Sequence, residues 1–325
     1  MLFRKMTEAD KPLVDSYLAR TDYPGSDYSM LYLSGWDFFN FENSMQIAES
    51  GGALYIRFVP NLAKEDEETD SNGFVYMPPL TERGNFAAAT DALREFCLDG
   101  EGEFYVTSCR PEEFALLDPE KYAIDEKRDS RDFAEYLYSP SDLIELPGKK
   151  YHAKRNFIRR FINTYSENYA FHTYEEKDRG GVYELFGNWS RTKSFDGYLG
   201  SAEKQERKLV DKALDYAAKY DDYFADVLEV GGKIVGFEFG ERLASNNGIV
   251  HIEKGDVNYD GVYPMLCHAF AAKHFKDVRF INRQEDMGLE GLRKSKLSYH
   301  PCGFVEKRIV VLSKNNDFNK KRTEY

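Results

Sequence analysis

The sequence predicts an α+β protein of two lobes, each with a mixed central sheet and helices packed against it. Its 325 residues, 42% of them hydrophobic, are too many for one typical core and suit two lobes of roughly 150 residues each. Strand-like segments are interspersed with segments whose apolar residues recur near every 3.6 positions, as they do in helices. The two halves present these segments in a similar order, although no residue-level repeat relates them.

The amino-terminal lobe is predicted to open with a short strand and an amphipathic helix, in which Leu13, Val14 and Leu18 recur near helical spacing. Phe86, Leu93 and their apolar neighbours indicate a second amphipathic helix later in the lobe. The predicted strands are residues 2–5, 35–41, 44–49, 53–59, 74–77, 103–107 and 133–138, and the predicted helices are residues 8–18, 85–98 and 111–116.

The carboxy-terminal lobe is predicted to run strand, two helices, three consecutive strands, helix, strand, helix and strand. Gly231-Gly232, between the first two of the three strands, is a strong hairpin signal. This order is that of the acetyltransferase (GNAT) fold, so we expect two tandem GNAT-like lobes. The predicted strands are residues 169–174, 223–230, 233–242, 248–254, 278–282 and 304–312, and the predicted helices are residues 178–190, 202–220, 263–275 and 290–297. The predicted domains are residues 1–140, a basic linker helix within 141–168, residues 169–314 and a polar tail at 315–325.

Composition narrows the class of protein. The net charge of −12 argues against nucleic acid binding by the whole surface, so any RNA contact needs a local basic patch. The four cysteines are far apart and indicate reduced thiols in a cytoplasmic protein. No histidine or cysteine cluster has metal-site spacing, so no metal is expected. No apolar run approaches the roughly 20 residues that span a bilayer, so no integral membrane association is expected.

The first candidate for chemistry is the basic segment 148–161, which carries six Lys or Arg residues and no acidic residue. A cationic helix between two lobes is a suitable place to hold phosphates or an RNA backbone, with Lys150, Lys154 and Arg155 as candidates. The alternative is a solvated helix that neutralises an acidic neighbour.

The second candidate is the end of the middle strand of the carboxy-terminal lobe. Side chains alternate along a strand, so His251 and Glu253 are predicted to share one face. Either could accept a proton from an attacking amine if burial adjusts its pKa. The alternative is a structural pair inside the sheet, which is the favoured interpretation for His251, whereas function is favoured for Glu253.

The third candidate is residues 280–301, where a predicted strand ends in polar groups and a short basic helix follows. Ligands tend to bind at such strand ends, which makes Asn282 and Arg283 candidates for contact with the donor. The helix carries Arg293, Lys294 and Lys296, which could grip a phosphate, a carboxylate or the acceptor end of a tRNA. Tyr299 could protonate a leaving group or could close the core. A structural salt-bridge network is the alternative.

These segments carry a family resemblance. GKKYHAKRNFIRRF, HIEKGD and FINRQEDMGLEGLRKSKLSYHP resemble the phosphatidylglycerol lysyltransferase carboxy-terminal domain family, in its soluble bacterial branch, and SDYSMLYLSGWDFF adds weaker support. The similarity covers nearly the whole chain. It implies paired GNAT-like lobes and kinship with enzymes that move an amino acid from aminoacyl-tRNA to lipid or to cell-wall peptide.

Two departures from related enzymes qualify what the resemblance implies. The membrane-spanning half of the lipid-modifying enzymes is not expected here, which weakens the case for a lipid acceptor. The acetyltransferase pyrophosphate loop, R/Q-x-x-G-x-G/A, is absent, and VNYDGVYP stands in its place at residues 257–264. One glycine remains, Pro264 lacks an N–H donor, and Asp260 would repel an anion. Acyl-CoA is therefore less expected as a donor than in a standard acetyltransferase, and the loss of the loop fits either an aminoacyl-tRNA donor or no catalysis.

We therefore expect a transferase that moves an aminoacyl or acyl group to an amine or hydroxyl of a small-molecule or peptide acceptor. Glu253 is the predicted base, with His251 and Tyr299 as further catalytic candidates. Backbone N–H groups, Arg283 or Tyr299 would stabilise the tetrahedral intermediate. The alternative is a non-catalytic GNAT-derived module that binds a small anionic ligand or a protein partner.

Overall fold

The structure is a computed structural model that describes residues 1–61, 74–98, 104–126, 131–193 and 201–312. Its strands, in chain order, are β1 (Arg4–Lys5), β2 (Gln46–Ser50), β3 (Ala53–Phe58), β4 (Val75–Tyr76), β5 (Phe104–Cys109), β6 (Tyr122–Ile124), β7 (Glu135–Tyr138), β8 (Tyr169–Thr173), β9 (Tyr223–Val230), β10 (Lys233–Arg242), β11 (Gly248–Gly255), β12 (Ile281–Asn282), β13 (Gly303–Val305) and β14 (Arg308–Leu312). Its helices are α1 (Lys11–Leu18), α2 (Met30–Gly35), α3 (Phe41–Ser44), α4 (Phe86–Leu98), α5 (Pro111–Phe114), α6 (Pro140–Glu145), α7 (His152–Tyr165), α8 (Arg179–Lys193), α9 (Ser201–Lys219), α10 (Val262–His274) and α11 (Glu290–Leu297).

Within the described ranges the strands form two mixed sheets of seven strands each, with the same layout. The first has the order β1-β2-β3-β4-β5-β14-β6, and the second, counted from the equivalent edge, has the order β8-β9-β10-β11-β12-β7-β13. Each sheet contains one parallel pair, β4–β5 or β11–β12, joined through a helix, α4 or α10. The predicted fold class, two GNAT-like halves with mixed sheets, is confirmed.

The sixth strand of each sheet comes from the opposite half of the sequence. β7, predicted at residues 133–138 as the closing strand of the amino-terminal lobe, instead pairs with β12 in the second sheet. The last predicted strand, residues 304–312, is two strands: β13 belongs to the second sheet, and β14 pairs with β5 and β6 in the first. Local patterning predicts that a strand exists, but its partner is chosen by packing that is distant in sequence.

Because of this exchange, the chain forms two compact units that are not contiguous in sequence. The first unit comprises Met1–Glu135, Glu285–Gly288 and the chain from Val305, and the second comprises Tyr136–Gln284 and Leu289–Phe304. The basic linker helix predicted within residues 141–168 is α7, which belongs to the second unit. The polar tail predicted at residues 315–325 lies outside the described residues.

The first unit is built on α4 and the sheet beneath it. Phe86, Ala89, Leu93 and Cys97 recur at helical spacing and are buried, and this cluster includes Tyr55 of the sheet. The unit also buries charge, since Lys307 lies 2.9 Å from Asp27 and 2.7 Å from Glu135.

Residues 35–41 do not form the strand that the sequence predicts. The side chain of Ser29 accepts a hydrogen bond from the Tyr32 amide and caps α2, which continues to Gly35. A short 3-10 turn follows, and Asn40 ends it with a left-handed φ of 46°. The aromatic run in this segment fits either a strand or tight helical turns, because a short apolar run has no decisive period.

The second unit is built on α10, which lies against the sheet. Leu266 and Phe270 of α10 are fully buried, and a cluster that contains Leu266 also contains Ile158 and Phe161 of α7. The apolar side of α7 therefore packs onto α10, whereas Arg159 and Arg160 of α7 are exposed. Among the described helices, none combines the length and apolar character required to cross a membrane.

Candidate active site

The candidate site lies in the second unit, where β11 and β12 part. These strands pair in parallel only through Gly248–Ile281 and Ile249–Asn282. Beyond these pairs β11 continues to Gly255, so its later residues lie beside a gap in the sheet. Diverging strands at the carboxyl edge of an open sheet form a cleft in which ligands tend to bind.

Arg283 and Glu253 form a buried ion pair at this gap. Nη2 of Arg283 donates to Oε2 of Glu253 at 2.8 Å, and the two side chains are 9% and 12% exposed. The guanidinium carbon of Arg283 lies 4.8 Å from the centre of the Tyr299 ring. Nη1 of Arg283 is buried and has no hydrogen-bond partner among the described residues. The ion pair with Glu253 thus fixes the guanidinium through Nη2, and Nη1 remains able to donate a hydrogen bond to a ligand.

Tyr299 and Lys154 complete the wall of the gap. Tyr299 is buried, and its hydroxyl has no hydrogen-bond partner in the part of the chain that the structure describes. Burial raises the pKa of this phenol well above its usual range, so the group stays protonated and able to donate. Nζ of Lys154 lies 3.7 Å from the centre of the Tyr299 ring. Burial, with the nearby Arg283 charge, lowers the pKa of Lys154 to about 8.

A row of acidic residues crosses the sheet behind this wall. Asp226, Glu238 and Glu253 are directly opposed on β9, β10 and β11. Asp226 is fully buried and contacts Lys273 and His274 of α10. Glu238 is also fully buried; burial, followed by the Glu253 charge, raises its carboxyl pKa well above its usual range. The protonated, neutral form of Glu238 is therefore favoured over a wider pH range than for an ordinary glutamate. No group of side chains within the described ranges could hold a metal ion.

Cys267 of α10 is close enough to this site to feel its charges but is unsuited to act as a nucleophile. The thiol is buried, and burial raises its pKa to about 12, with neighbouring Glu253 and Glu238 adding to the shift. A nucleophilic cysteine needs the opposite, a lowered pKa that favours the thiolate.

His251 does not share a face with Glu253, which corrects the sequence prediction. The pairing of β10 with β11 shifts between Phe239–Ile252 and Gly240–Val250, so His251 is the extra residue of a β-bulge. The His251 ring contacts Glu241 at 2.7 Å, and both side chains are buried. Since Glu241 and Glu238 are an odd number of residues apart on β10, His251 and Glu253 point to opposite faces. His251 is part of a structural pair inside the sheet.

Three further predicted residues have structural contacts. Nζ of Lys296 donates to the backbone oxygens of Arg283 at 2.5 Å and Gln284 at 3.1 Å. Asn282 is fully buried, and its side-chain oxygen accepts from the Gln284 amide at 2.7 Å. Arg155 donates to the carbonyl oxygens that precede α7. All three side chains thus have hydrogen-bond partners within the chain, and their contact with a donor stays a prediction.

The remaining predicted cations lie in the 3-10 turn before α7 and on α11. Lys150 is exposed and lies 3.4 Å from Asp142. Arg293 is half-buried and Lys294 is exposed, both on α11, whose end leads to Tyr299. Tyr151, immediately before α7, donates its hydroxyl proton to the Tyr299 carbonyl at 2.8 Å, so the segment before α7 contacts the segment after α11.

The start of α10 does not form an open anion cradle. Gly261 adopts a φ of 88°, and a Cβ at this position would lie 2.5 Å from the carbonyl oxygen of Phe157 on α7. Helix α7 therefore covers the place where an acetyltransferase offers backbone N–H groups to pyrophosphate. Amides of the preceding turn are already used, since those of Asn258 and Tyr259 both donate to Asp256.

Comparison with known proteins identifies the family. The model of the family "Phosphatidylglycerol lysyltransferase, C-terminal" matches residues 39–310. The chain belongs to this family. Membership supports an aminoacyl- or acyl-transferase-like function, in agreement with the resemblance carried by the motifs around Lys154, Glu253 and Arg283.

Relatives extend over nearly the whole chain. A crystal structure of a conserved protein of unknown function from Bacteroides thetaiotaomicron is 30% identical, covers 96% of this chain and 99% of its own, and has a TM-score of 0.81. An uncharacterized protein of Mycoplasmoides gallisepticum is 24% identical over 87% of this chain and 91% of its own. The structure of L-PGS from Bacillus licheniformis, 14% identical, covers 98% of this chain and 96% of its own, with a TM-score of 0.57. This last likeness shows a shared fold.

Proposed function

We propose that this chain transfers an aminoacyl group from aminoacyl-tRNA to an amine or hydroxyl acceptor, in the gap between β11 and β12. Family membership supports the class of reaction. The observation that carries the site assignment is a pair of buried donors, Nη1 of Arg283 and the hydroxyl of Tyr299, that lack partners among the described residues. Burying an unsatisfied donor costs about 1–3 kcal/mol, so such groups mark a place where a ligand completes the hydrogen bonding.

These two donors suit the intermediate of acyl transfer. When the acceptor attacks the ester carbonyl carbon, a new C–N or C–O bond forms and the carbonyl oxygen becomes an oxyanion. Arg283 and Tyr299 would donate to that oxygen in a buried setting, where preorganised donors stabilise developing charge strongly. Collapse of the intermediate breaks the ester bond and releases the ribose hydroxyl of the tRNA.

Lys154 is suited to carry the proton from the amine or hydroxyl of the acceptor to the leaving ribose oxygen of the tRNA. With a pKa of about 8, a useful fraction of Lys154 is neutral near pH 7 and can accept the acceptor's proton. The resulting ammonium then protonates the leaving ribose oxygen. Glu253, which the sequence predicts as the base, is paired with Arg283 at 2.8 Å, so its role in this mechanism is to orient that guanidinium.

Close packing at the start of α10 supports a tRNA ester as the donor. Phe157 lies against Gly261 at the start of α10, where acetyltransferases bind that group. Three exposed cations provide a local patch for an RNA backbone on a chain whose net charge is −12: Lys150 in the turn before α7, Arg159 on α7 and Lys294 on α11.

The test is a donor assay with a small generic acceptor. The purified chain is mixed with hydroxylamine and either radiolabelled aminoacyl-tRNA or acetyl-CoA, and hydroxamate formed above the uncatalysed background is measured. We expect product from aminoacyl-tRNA, and its loss in Arg283→Lys but not in Arg279→Lys, an exposed matched control. Product from acetyl-CoA alone would refute the donor assignment. Tight tRNA binding without product, for any acceptor, would support a binding module instead.

A further inference from the structure

The first unit contains a cavity of about 360 Å³ at the place that corresponds to the gap of the second unit. Here the parallel strands β4 and β5 pair through Val75–Tyr105 and Tyr76–Val106 and then part. The walls come from the segment after α1, the connection between β4 and α4, and the segment after β5. A volume in this range is typical of sites for small molecules, which occupy roughly 300–1,000 Å³.

The inner surface of the cavity is apolar and aromatic. Tyr23, Tyr28, Leu80 and Phe86 line it and are almost fully buried. Both tyrosine hydroxyls are engaged, since Tyr23 donates to Asp27 and Tyr28 donates to the carbonyl oxygen of Pro78. The rings therefore present apolar surface to an occupant rather than hydrogen-bonding groups.

A buried ion pair forms the polar wall. The Arg110 guanidinium contacts Glu112 at 3.1 Å and Glu113 at 2.7 Å, and the Arg110 and Glu113 side chains are each 12% exposed. Nε of Arg110 is buried without a hydrogen-bond partner within the described ranges. Burial raises the pKa of the Glu113 carboxyl in spite of Arg110, which indicates that the pair is poorly solvated. A ligand that added hydrogen bonds to both members would relieve that cost.

The charged lining is balanced. Arg20, Arg83 and Arg110 oppose Asp22, Glu112 and Glu113, so the formal charges of these six side chains cancel. A cavity for a phosphate or a dicarboxylate would carry an excess of cations, and one for a polyamine an excess of anions. Balanced charge around an apolar interior instead complements a molecule that carries one ammonium, one carboxylate and an apolar side chain.

We propose that this cavity binds a small zwitterion with an apolar side chain, of amino acid or dipeptide chemistry, through the Arg110–Glu113 pair and the aromatic interior. The proposal concerns residues of the first unit alone and does not depend on the transfer reaction assigned to the second. The carboxylate of the ligand would bind Arg110, its ammonium would bind the acidic side chains, and its apolar side chain would pack on Tyr23 and Phe86.

Isothermal titration of the full chain tests this with L-leucine, L-phenylalanine and glycyl-L-leucine as probes. Two analogues of leucine each lack one charge: 4-methylvalerate lacks the ammonium and isoamylamine lacks the carboxylate. We expect at least one zwitterion to bind, and each single-charge analogue of leucine to bind about tenfold more weakly or not at all, as for loss of one buried charged hydrogen bond. Inorganic phosphate is expected not to bind.

Leu116→Trp, which adds bulk to a partly exposed residue of the lining, should reduce affinity at least about tenfold without lowering the unfolding midpoint. Leu2→Trp adds the same bulk at a residue that is 90% exposed and should leave affinity unchanged. The proposal is overturned if no zwitterion binds at about 10 mM, if phosphate or a single-charge analogue binds as tightly, or if Leu116→Trp binds like the unaltered chain. Activity in the donor assay is not a readout here, so the two proposals can fail separately.

Discussion

In both units the parallel pair of strands diverges at the same place in the sheet, but the side chains that line the two openings differ. Each opening is lined by an arginine that has one buried N–H donor without a hydrogen-bond partner among the described residues, Nε in Arg110 and Nη1 in Arg283. In the first unit the tyrosine hydroxyls are already bonded, and among the described residues no lysine or histidine lines the cavity. In the second unit the Tyr299 hydroxyl is left over and Lys154 lies against its ring.

The strands explain the difference. β4 has two residues, and Pro78-Pro79, one residue after its end, lack the N–H groups that would extend a hydrogen-bonded ladder, so loops line the first cavity. β11 has eight residues and carries Glu253 past its last pair with β12. A long strand projects side chains at fixed positions, whereas loops can enclose a volume without aiming groups at one point. This difference supports the two proposals, binding in the first unit and transfer in the second.

The largest expected effect is at Arg283. Arg283→Lys keeps the positive charge beside Glu253 but removes the second N–H that would meet the oxyanion. We expect kcat for transfer to fall about 10²–10³-fold, the range for loss of one oxyanion donor. Rates measured with saturating aminoacyl-tRNA, beside Arg279→Lys, check this. Full activity in Arg283→Lys would contradict the assignment of oxyanion stabilisation to the second unit.

Lys154 should make the rate of transfer in the second unit depend on pH. Its folded pKa of about 8 means that the neutral amine, the form that accepts a proton, increases as pH rises through 8. We therefore expect kcat/KM to rise with pH and level off above about 8. Lys154→Arg, which stays charged, should lower the rate about 10²-fold and abolish this dependence. Lys276→Arg, at an exposed position, is the control. An unchanged profile in Lys154→Arg would assign the proton transfer to another group.

Much of this site could be predicted from the sequence, because its residues stand in polar clusters at strand and helix ends. Lys154, Glu253, Arg283 and Tyr299 are all identified in this way. What could not be predicted is register. A single-residue bulge at His251 reverses the face that alternation assigns to it, and nothing in HIEKGD signals that bulge.

Glu238 shows the other limit of sequence reasoning. It lies within the run Lys233–Arg242, where Val235, Phe237 and Phe239 are buried, and an acidic residue inside such a run is a signal of special function or pairing. The signal does not say which neighbours the carboxyl meets. The register of the strands places Glu238 directly opposite Asp226 on β9 and Glu253 on β11, and this register cannot be read from the sequence of one strand. The exchange of β7 and β14 between the two sheets cannot be read from local sequence either.

Tyr299 should separate catalysis from stability. Tyr299→Phe removes a hydroxyl that is buried without a partner among the described residues, so we expect the free energy of unfolding to stay the same or rise slightly. The transfer rate should fall about tenfold, less than for Arg283→Lys because a neutral donor stabilises an oxyanion less than a charged one. Denaturant unfolding and the donor assay measure both. Tyr138→Phe, whose hydroxyl donates to the Lys296 carbonyl at 2.8 Å, should instead lose stability. Equal losses of stability in the two variants would contradict the assignment.

The smallest expected effect is at Glu238, which is placed behind the site. Because burial raises the pKa of this carboxyl in the folded state, the folded chain holds a proton that the unfolded chain releases above the ordinary glutamate pKa. The contribution of Glu238 to the free energy of unfolding therefore falls as pH rises above about 4.5, by at most about 1.4 kcal/mol per pH unit, until the folded carboxyl itself ionises.

Glu238→Gln keeps the shape of the protonated carboxyl and removes this linkage. We expect the variant to match the unaltered chain near pH 4.5 and to become progressively more stable than it toward neutral pH, with transfer changed only a few-fold. Chemical denaturation at a series of pH values gives the difference directly. Glu290→Gln, at an exposed position on α11, is the matched control and should show no such trend. A difference that stays constant with pH would mean that Glu238 is ionised in the fold, so that a second carboxylate charge lies beside the Arg283–Glu253 ion pair.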